Sequence, residues 1–443
     1  MNITIVGAGL AGSLLAIYLA KRGFNVKVYE CRPDMRTTTI SAGRSINLTL
    51  SARGISALKR IGLEYVILKK AIPMHGRMTH RIGQENRLQP YSQSDSDFIY
   101  SISRTNLNIE LMNLAEAFPN VKIHFNQRAT AANFETNSLT FFNENNNQST
   151  TIQADTIIAT DGANSVIRTE MEKQGLINAT VEPLERSYKE LQIPPNENGS
   201  FQMEKNALHI WPRHSFMMIA LPNPDASFTN TLFFADKGPL SFETLNNDTV
   251  INNFFQEYFP DAVPMMPTLL HDFNQNPIGK LATIRSFPWH YKNKTLLLGD
   301  SAHGVVPFYG QGMNCAFENA VALDNCIEKY SPDWQKIYVQ YQLERKIQSD
   351  AIADLALQNF VEMRDLTADP TFIKKRKLEL MLENQYPNQF LSKYSMVTFH
   401  QIPYHTALHK GNKQDELLMN ICKQTPDVEQ LDLEKVFQQL QGL

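Results

Sequence analysis

The segment Gly7-Ala8-Gly9-Leu10-Ala11-Gly12 limits this chain more than any other stretch of it. It follows a short apolar run, Asn2 to Val6, and opens an apolar stretch from Leu10 to Ala20 with helical spacing. Asn25 to Tyr29 then reads as a second strand. Glycines at this spacing allow a tight turn, a backbone approach to a pyrophosphate, and close helix–strand packing, with phosphate held at the helix N-terminus. Glu30 closes the second strand, about 20 residues on, where a carboxylate accepts hydrogen bonds from a ribose diol. The βαβ unit predicts a Rossmann-like domain in which Gly7, Gly9, Gly12 and Glu30 hold a dinucleotide. FAD and NAD stay undivided at this point.

Composition narrows the partners. The 443 residues carry a formal charge of -3, which leaves no basic surplus for nucleic acid or an anionic membrane, so small molecules are the expected ligands. The four cysteines, Cys31, Cys315, Cys326 and Cys422, lack metal-ligand spacing and predict a reducing compartment. No metal is expected, at His400 and His405 or elsewhere. MNITIVGAG enters the first strand without a basic leader, and no apolar run approaches the roughly 20 residues that span a bilayer. A free, soluble, cytoplasmic protein is expected.

Along the chain, SLTFF and STTIQ flank the Asn-rich turn 143–148, a predicted hairpin leading into the buried strand DTIIA. Residues 181–290 hold apolar, β-prone segments (LHIWP, FMMIAL, TLFFA) between proline-bearing turns. From Lys294 an apolar strand and a long helical region follow. The predicted organisation is α/β: a discontinuous FAD- or NAD-binding domain from 1–180 and 281–330, an inserted β-rich substrate domain at 181–280 with further strands from 70–105, and a helical region at 331–443.

Two further segments, Asp155-Thr-Ile-Ile-Ala-Thr-Asp161-Gly162 and Leu296-Leu-Leu-Gly-Asp300, are apolar strands that stop at an Asp beside a glycine. Each alone is equally an ordinary strand-to-loop turn. In this order after the glycine motif they resemble the single-component FAD-dependent aromatic hydroxylases of the glutathione-reductase type. The resemblance implies that FAD is tightly bound, that Asp161-Gly162 serve flavin and nicotinamide cofactor, and that Asp300 binds the ribityl chain. Pro307 to Asn314 opens a helix, so Gly312, Met313 and Asn314 present N–H groups and a positive dipole end to a reduced flavin.

Gly43-Arg-Ser-Ile-Asn-Leu48, His75-Gly-Arg-Met-Thr-His80, Gln89-Pro-Tyr91, Ser101 to Asn108, Leu208 to Arg213, Asn359 to Arg364 and Tyr394 to Phe399 are similar to the kynurenine 3-monooxygenase family. That similarity implies that Arg77, Tyr91, Asn359 and Tyr394 hold the amino-acid end of the substrate. Leu208, Met217, Ile219, Phe233 and Phe308 would wall its ring, and Arg44 and Arg104 would contact the flavin. The expected reaction is 3-hydroxylation of L-kynurenine through a flavin C4a-hydroperoxide, with NADPH as transient electron donor and O2 as oxidant, on a route of tryptophan catabolism toward quinolinate and NAD. The cofactor carries the chemistry, so no side chain is assigned a catalytic role. Tyr309, also placed in the site, departs from the His or Phe of relatives, and Cys31 stands where a second arginine is usual. Rival readings are a hydroxylase for another aromatic acid and a flavin-binding interaction protein without turnover. A halogenase is disfavoured because Trp211, Trp289 and Trp334 form no WxWxIP motif.

Overall fold

The computed structural model describes residues 1–37, 47–92, 97–367 and 369–443. Asn2–Val6 lies inside a six-stranded sheet, parallel to Thr156–Ala159 on one side and to Asn25–Tyr29 on the other. Thr295–Leu297 and Val121–His124 extend the parallel set, and His290–Tyr291 closes one edge antiparallel. Parallel strands covered on both faces need to be apolar throughout, and Ile3, Ile5, Ile157, Ile158, Leu296 and Leu297 are fully buried. The helix Leu10–Lys21 packs beside Arg104–Glu116 and Gly312–Tyr330. The predicted hairpin forms between Ser138–Asn143 and Gln148–Gln153, with Gln127–Asn133 as its third strand, and Phe141 stacks on Tyr29 at 4.3 Å.

A second, eight-stranded sheet runs in the order His303–Gly304, Ile278–Phe287, Asn178–Ile193, Phe228–Ala235, Met217–Pro222, Ala207–Pro212, Gly76–Thr79 and Arg87–Pro90. The last two strands come from early in the chain, and Gly76–Thr79 joins Ala207–Pro212 in parallel. The β-rich expectation for 181–280 holds only in part, because Asp248–Tyr258 and Leu269–Gln275 are helices. Ile251, Phe254 and Phe255 sit at helical spacing and are buried against one face of the sheet together with Trp211, Phe216 and Phe234. The opposite face packs on a long helix, Trp334–Val361, which ends in a π-helical turn, Glu362–Leu366. Helices Pro370–Gln385, Lys393–Thr398, Tyr404–Gln424 and Leu433–Gln441 follow. Among the described residues no helix is long and apolar enough to cross a membrane.

The glycine loop owes its shape to two close approaches. Gly7 has φ +99°, and a Cβ there would lie 2.6 Å from the Thr160 carbonyl oxygen. A Cβ on Gly12 would be driven into the Gly7 carbonyl oxygen and would lie 2.5 Å from Thr160 Oγ1. Gly9, with φ -70°, has nothing within 4 Å of such an atom. Gly12→Ala is therefore expected to destabilise the cofactor-free protein by about 1–3 kcal/mol, while Gly9→Ala leaves it within about 0.5 kcal/mol. Urea unfolding of the two variants checks this contrast.

Candidate active site

Between the two sheets lies a cavity of about 760 Å³, within the range of small-molecule sites. One end is formed by Gly9, Leu10 and Ala11, by Gly162 to Asn164, and by Asp300, Gly312 and Met313. The other end carries Arg77, Tyr91, Asn359 and Tyr394, with Phe308 and Tyr309 beside them.

At the first end the loop is held from behind. Glu30 is buried and accepts from the Ala8 N–H at 2.8 Å with one oxygen, and from the Arg32 N–H and Nε at 2.9 and 2.7 Å with the other. Burial works against its charge, but Arg32 and these N–H donors prevail and hold the carboxyl below its ordinary range. Asn108 Nδ2 donates to the Ala8 carbonyl at 3.0 Å. Asp161 faces protein: its oxygens accept from Ser165 Oγ (2.6 Å), Ser301 Oγ (3.0 Å) and the Val166 N–H (2.8 Å). Its neighbours Gly162, Ala163 and Asn164 are the part of that loop that reaches the cavity.

Asp300 differs. Its carboxylate opens onto the cavity and has no hydrogen bond among the described residues; enclosure by protein raises its pKa, opposed by Arg104 and Arg168. Arg104, the first residue of its helix, also lines the cavity and has neither hydrogen bond nor ion pair among the described residues. Arg168 was not singled out in the sequence. It lines the cavity and braces this end by donating to the carbonyls of Ser301 (3.1 Å) and Asp300 (3.4 Å). Gly312 and Met313 begin a 19-residue helix whose N-terminus meets the cavity. The Asn314 side chain instead ties the preceding turn, accepting from the Ser51 N–H at 3.1 Å and donating to the carbonyls of Thr49 and Gly310 at 2.9 and 2.8 Å. Arg44 lies outside the described residues.

At the second end Arg77 leaves strand Gly76–Thr79 and is buried, with Nη1 3.1 Å from Glu362 Oε1. Its guanidinium lies 5.0 Å from the ring centre of Tyr394 and 5.8 Å from that of Tyr91. The Tyr91 and Tyr394 rings stack at 5.1 Å, and Tyr309 stacks on Tyr394 at 5.7 Å. Burial raises the pKa of all three phenols, so they are neutral donors. The Tyr91 hydroxyl has no hydrogen-bond partner among the described residues. Asn359 Nδ2 donates to the Phe308 carbonyl at 2.6 Å, and its side chain lines the cavity. Leu208, Ile219, Phe233 and Phe308 form the apolar wall, whereas Met217, beside its register partner Phe233, is fully buried and is not part of the cavity surface.

The chain's first 346 residues match a family model described as FAD binding domain. Kynurenine 3-monooxygenase of Myxococcus xanthus (strain DK1622) is 45% identical over 98% of this chain and 93% of its own length. The enzyme of that name from Dictyostelium discoideum is 44% identical over 97% and 95%. Among solved structures, 2-methyl-3-hydroxypyridine-5-carboxylic acid oxygenase superposes with a TM-score of 0.65 at 19% identity, covering 84% of this chain and 95% of that one. That likeness is one of fold.

The two aspartates should separate on mutation. Asp161→Ala leaves a helix N-terminus and Ser301 without their acceptor and is expected to cost about 1–2 kcal/mol in urea unfolding of the cofactor-free protein. Asp300→Ala removes a carboxylate that is exposed to the open cavity and has no hydrogen bond among the described residues, so it should leave that stability within about 0.5 kcal/mol while weakening retention of FAD.

Proposed function

Since the chain belongs to the kynurenine 3-monooxygenase family of FAD-dependent monooxygenases, we propose that it converts L-kynurenine to 3-hydroxy-L-kynurenine, with NADPH as electron donor and O2 as oxidant. The observation that carries this reading is Arg77 paired with Glu362 at 3.1 Å beside the stacked Tyr91 and Tyr394. An α-amino acid brings a carboxylate and an ammonium on one carbon. Arg77 offers a planar fork to the first, and Glu362 an opposite charge to the second. Tyr91 and Asn359, which both line the cavity, add a neutral hydroxyl donor and an amide oxygen acceptor beside them. The relatives at 44–45% identity bear the name kynurenine 3-monooxygenase, which favours kynurenine over an aromatic acid without an amino group.

The first end of the cavity fits FAD. Gly9 to Ala11 lie open at a helix N-terminus for the pyrophosphate, Glu30 stands behind them for the ribose, and Asp300 and Arg104 are free to meet the ribityl chain and its oxygens. When bound, the flavin supplies the redox chemistry and the transfer of one oxygen atom to the ring. The side chains orient and shield. Arg77, Tyr91, Asn359 and Tyr394 fix the amino-acid end, so that the ring points along the wall of Leu208, Ile219, Phe233 and Phe308 toward Gly312. That wall excludes water. The aniline nitrogen activates the neighbouring carbon, and no side chain is assigned as base. With no second glycine-rich unit in the sequence, NADPH docks across the same groove. The division into a flavin part (1–180 with 281–330), a substrate part and a helical part belongs to this proposal, as does a cytoplasmic location.

Incubation with L-kynurenine, NADPH and air should yield 3-hydroxykynurenine in step with NADPH oxidation; kynurenine-independent oxidation without hydroxylated product would overturn the reading. Arg77→Ala is expected to raise the kynurenine Kd by about 10- to 150-fold with FAD retained, the range for a lost charge-assisted hydrogen bond. Glu362→Gln should weaken kynurenine but spare its des-amino analogue. Equal losses for both ligands would remove Glu362 from the ammonium site.

A further inference from the structure

The Tyr91–Tyr394 stack frames Arg77, and both segments that carry it lean on one helix, Pro370–Gln385. Arg376 and Glu383 lie seven residues apart on that helix, close to two full turns, and so share a face. From it Arg376 Nη2 donates to the Tyr91 carbonyl at 3.4 Å. Glu383 Oε1 accepts from the Ser392 N–H at 3.0 Å and from Ser395 Oγ at 2.5 Å. Those two donors flank Tyr394. Ser392 is the N-cap of helix Lys393–Thr398, its own hydroxyl accepting from the Ser395 N–H at 3.2 Å.

Six residues are too few for a helix to hold itself in water, so contacts with its surroundings set the orientation of this one. Arg53 grips its far end through the carbonyls of Met396 and Val397. Lys393 pins the near end. A Cβ on Gly411, in helix Tyr404–Gln424, would lie 2.5 Å from Lys393 Cγ and 2.7 Å from Lys393 Cβ, so the base of that side chain rests directly on helix backbone. The Lys393 ammonium pairs with Asp415, one turn beyond Gly411, and Asp415 also pairs with Lys375. Two points of attachment define an axis and leave rotation about it free. Glu383 opposes that rotation, because one of its oxygens takes donors from either side of Tyr394.

Stability is a poor account of this residue. Glu383 Oε2 is buried without a hydrogen bond among the described residues, and a carboxylate half-satisfied in this way adds little net stability. We propose that Glu383 is a positioning residue for the substrate: through Ser392 and Ser395 it sets the direction in which Tyr394 enters the cavity, beside Arg77 and against Tyr91. The proposal rests on the reading of Tyr394 as a residue that holds the amino-acid end of the substrate. Helix Pro370–Gln385 then aligns both rings at once, Tyr91 through Arg376 and Tyr394 through Glu383.

A double-mutant cycle on the FAD-loaded enzyme tests this, with the kynurenine Kd read for Glu383→Ala, Tyr394→Ala and the two together. An orienting contact passes on no more than it is worth, so Glu383→Ala should raise the Kd by about 3- to 30-fold, the range of a lost helix cap. FAD should stay bound, and kcat at saturation should stay within about twofold, as when binding common to ground and transition state is lost. With Tyr394 already removed, the same substitution should change the Kd by less than about twofold, having no ring left to orient. Full additivity of the two losses overturns the proposal, as does a wild-type Kd in Glu383→Ala. Glu383→Gln keeps an oxygen for both donors and should bring the Kd back to within about threefold of wild type; a loss as large as that of alanine counts against the contact. Should Glu383→Ala not fold, Ser395→Ala removes one donor and spares the carboxylate: it should raise the Kd about 2- to 10-fold, and an unchanged value sinks the idea. If Tyr394→Ala alone binds kynurenine as the wild type does, the site reading fails and takes the proposal with it.

Discussion

Everything at the flavin end depends on one backbone packing contact: the first turn of helix Leu10–Lys21 against the carbonyls at the ends of two parallel strands. Gly12 lies against the Gly7 carbonyl, and Thr160 Oγ1 donates to the carbonyls of Val6 and Gly7 at 3.0 and 2.8 Å. This contact brings the helix N-terminus to the cavity edge and sets the line on which the loop at Gly162 to Asn164 and the turn at Asp300 arrive from neighbouring strands. Open α/β sheets bind ligands outside the carboxyl ends of their strands for this reason. The ends converge there, and side chains need only be long enough to cross a short gap.

The substrate end is built differently, from segments far apart in sequence that buried ions hold together. Tyr394 stands on helix Lys393–Thr398, and Arg53 fastens that helix by donating to the carbonyls of Val397 (2.8 Å) and Met396 (3.3 Å). The same guanidinium lies 3.9 Å over the Tyr404 ring and pairs with Glu318, which also meets Arg345. Lys375 pairs with Glu379 and Asp415 in a nearly buried cluster, and Arg376 reaches back to the Tyr91 carbonyl at 3.4 Å. Buried pairs of this kind add little net stability, but removing one partner leaves a costly charge. They fix geometry.

Sequence reading reached what local chemistry writes down. The glycine loop and the strands that end at Asp161 and Asp300 were legible because each depends on a short stretch with its own steric or chemical logic, whereas Arg77, Tyr91, Asn359 and Tyr394, far apart in sequence, were brought together only by the resemblance to one family. The helices at 248–275 were hidden by dense aromatics in a region of β-prone segments, although Ile251, Phe254 and Phe255 keep helical spacing. Met217 and Asn314 have the right types and neighbours, yet Met217, on the same sheet face as Ile219 and Phe233, is covered by its neighbours, and local hydrogen bonds bind the Asn314 side chain. Asp161 shows the same limit: an acid at a strand end reads alike whether it meets a ligand or caps a helix. Glu362 was invisible as a partner of Arg77 because a π-helical turn, which no simple periodicity predicts, begins at that residue.

The distance in sequence between the two ends of the cavity also imposes an order. Synthesis proceeds from the N-terminus, and structure forms as chain becomes available. Every described residue assigned to the flavin, from Gly7 to Asn314, has been made while Asn359, Glu362 and Tyr394 are still to come. The dinucleotide end nevertheless waits for later chain: Trp334, Ile337, Tyr338 and Tyr341 belong to the same buried core as Ile3, Ile5 and Leu14, so the helix that reaches Asn359 also completes the packing behind the glycine loop.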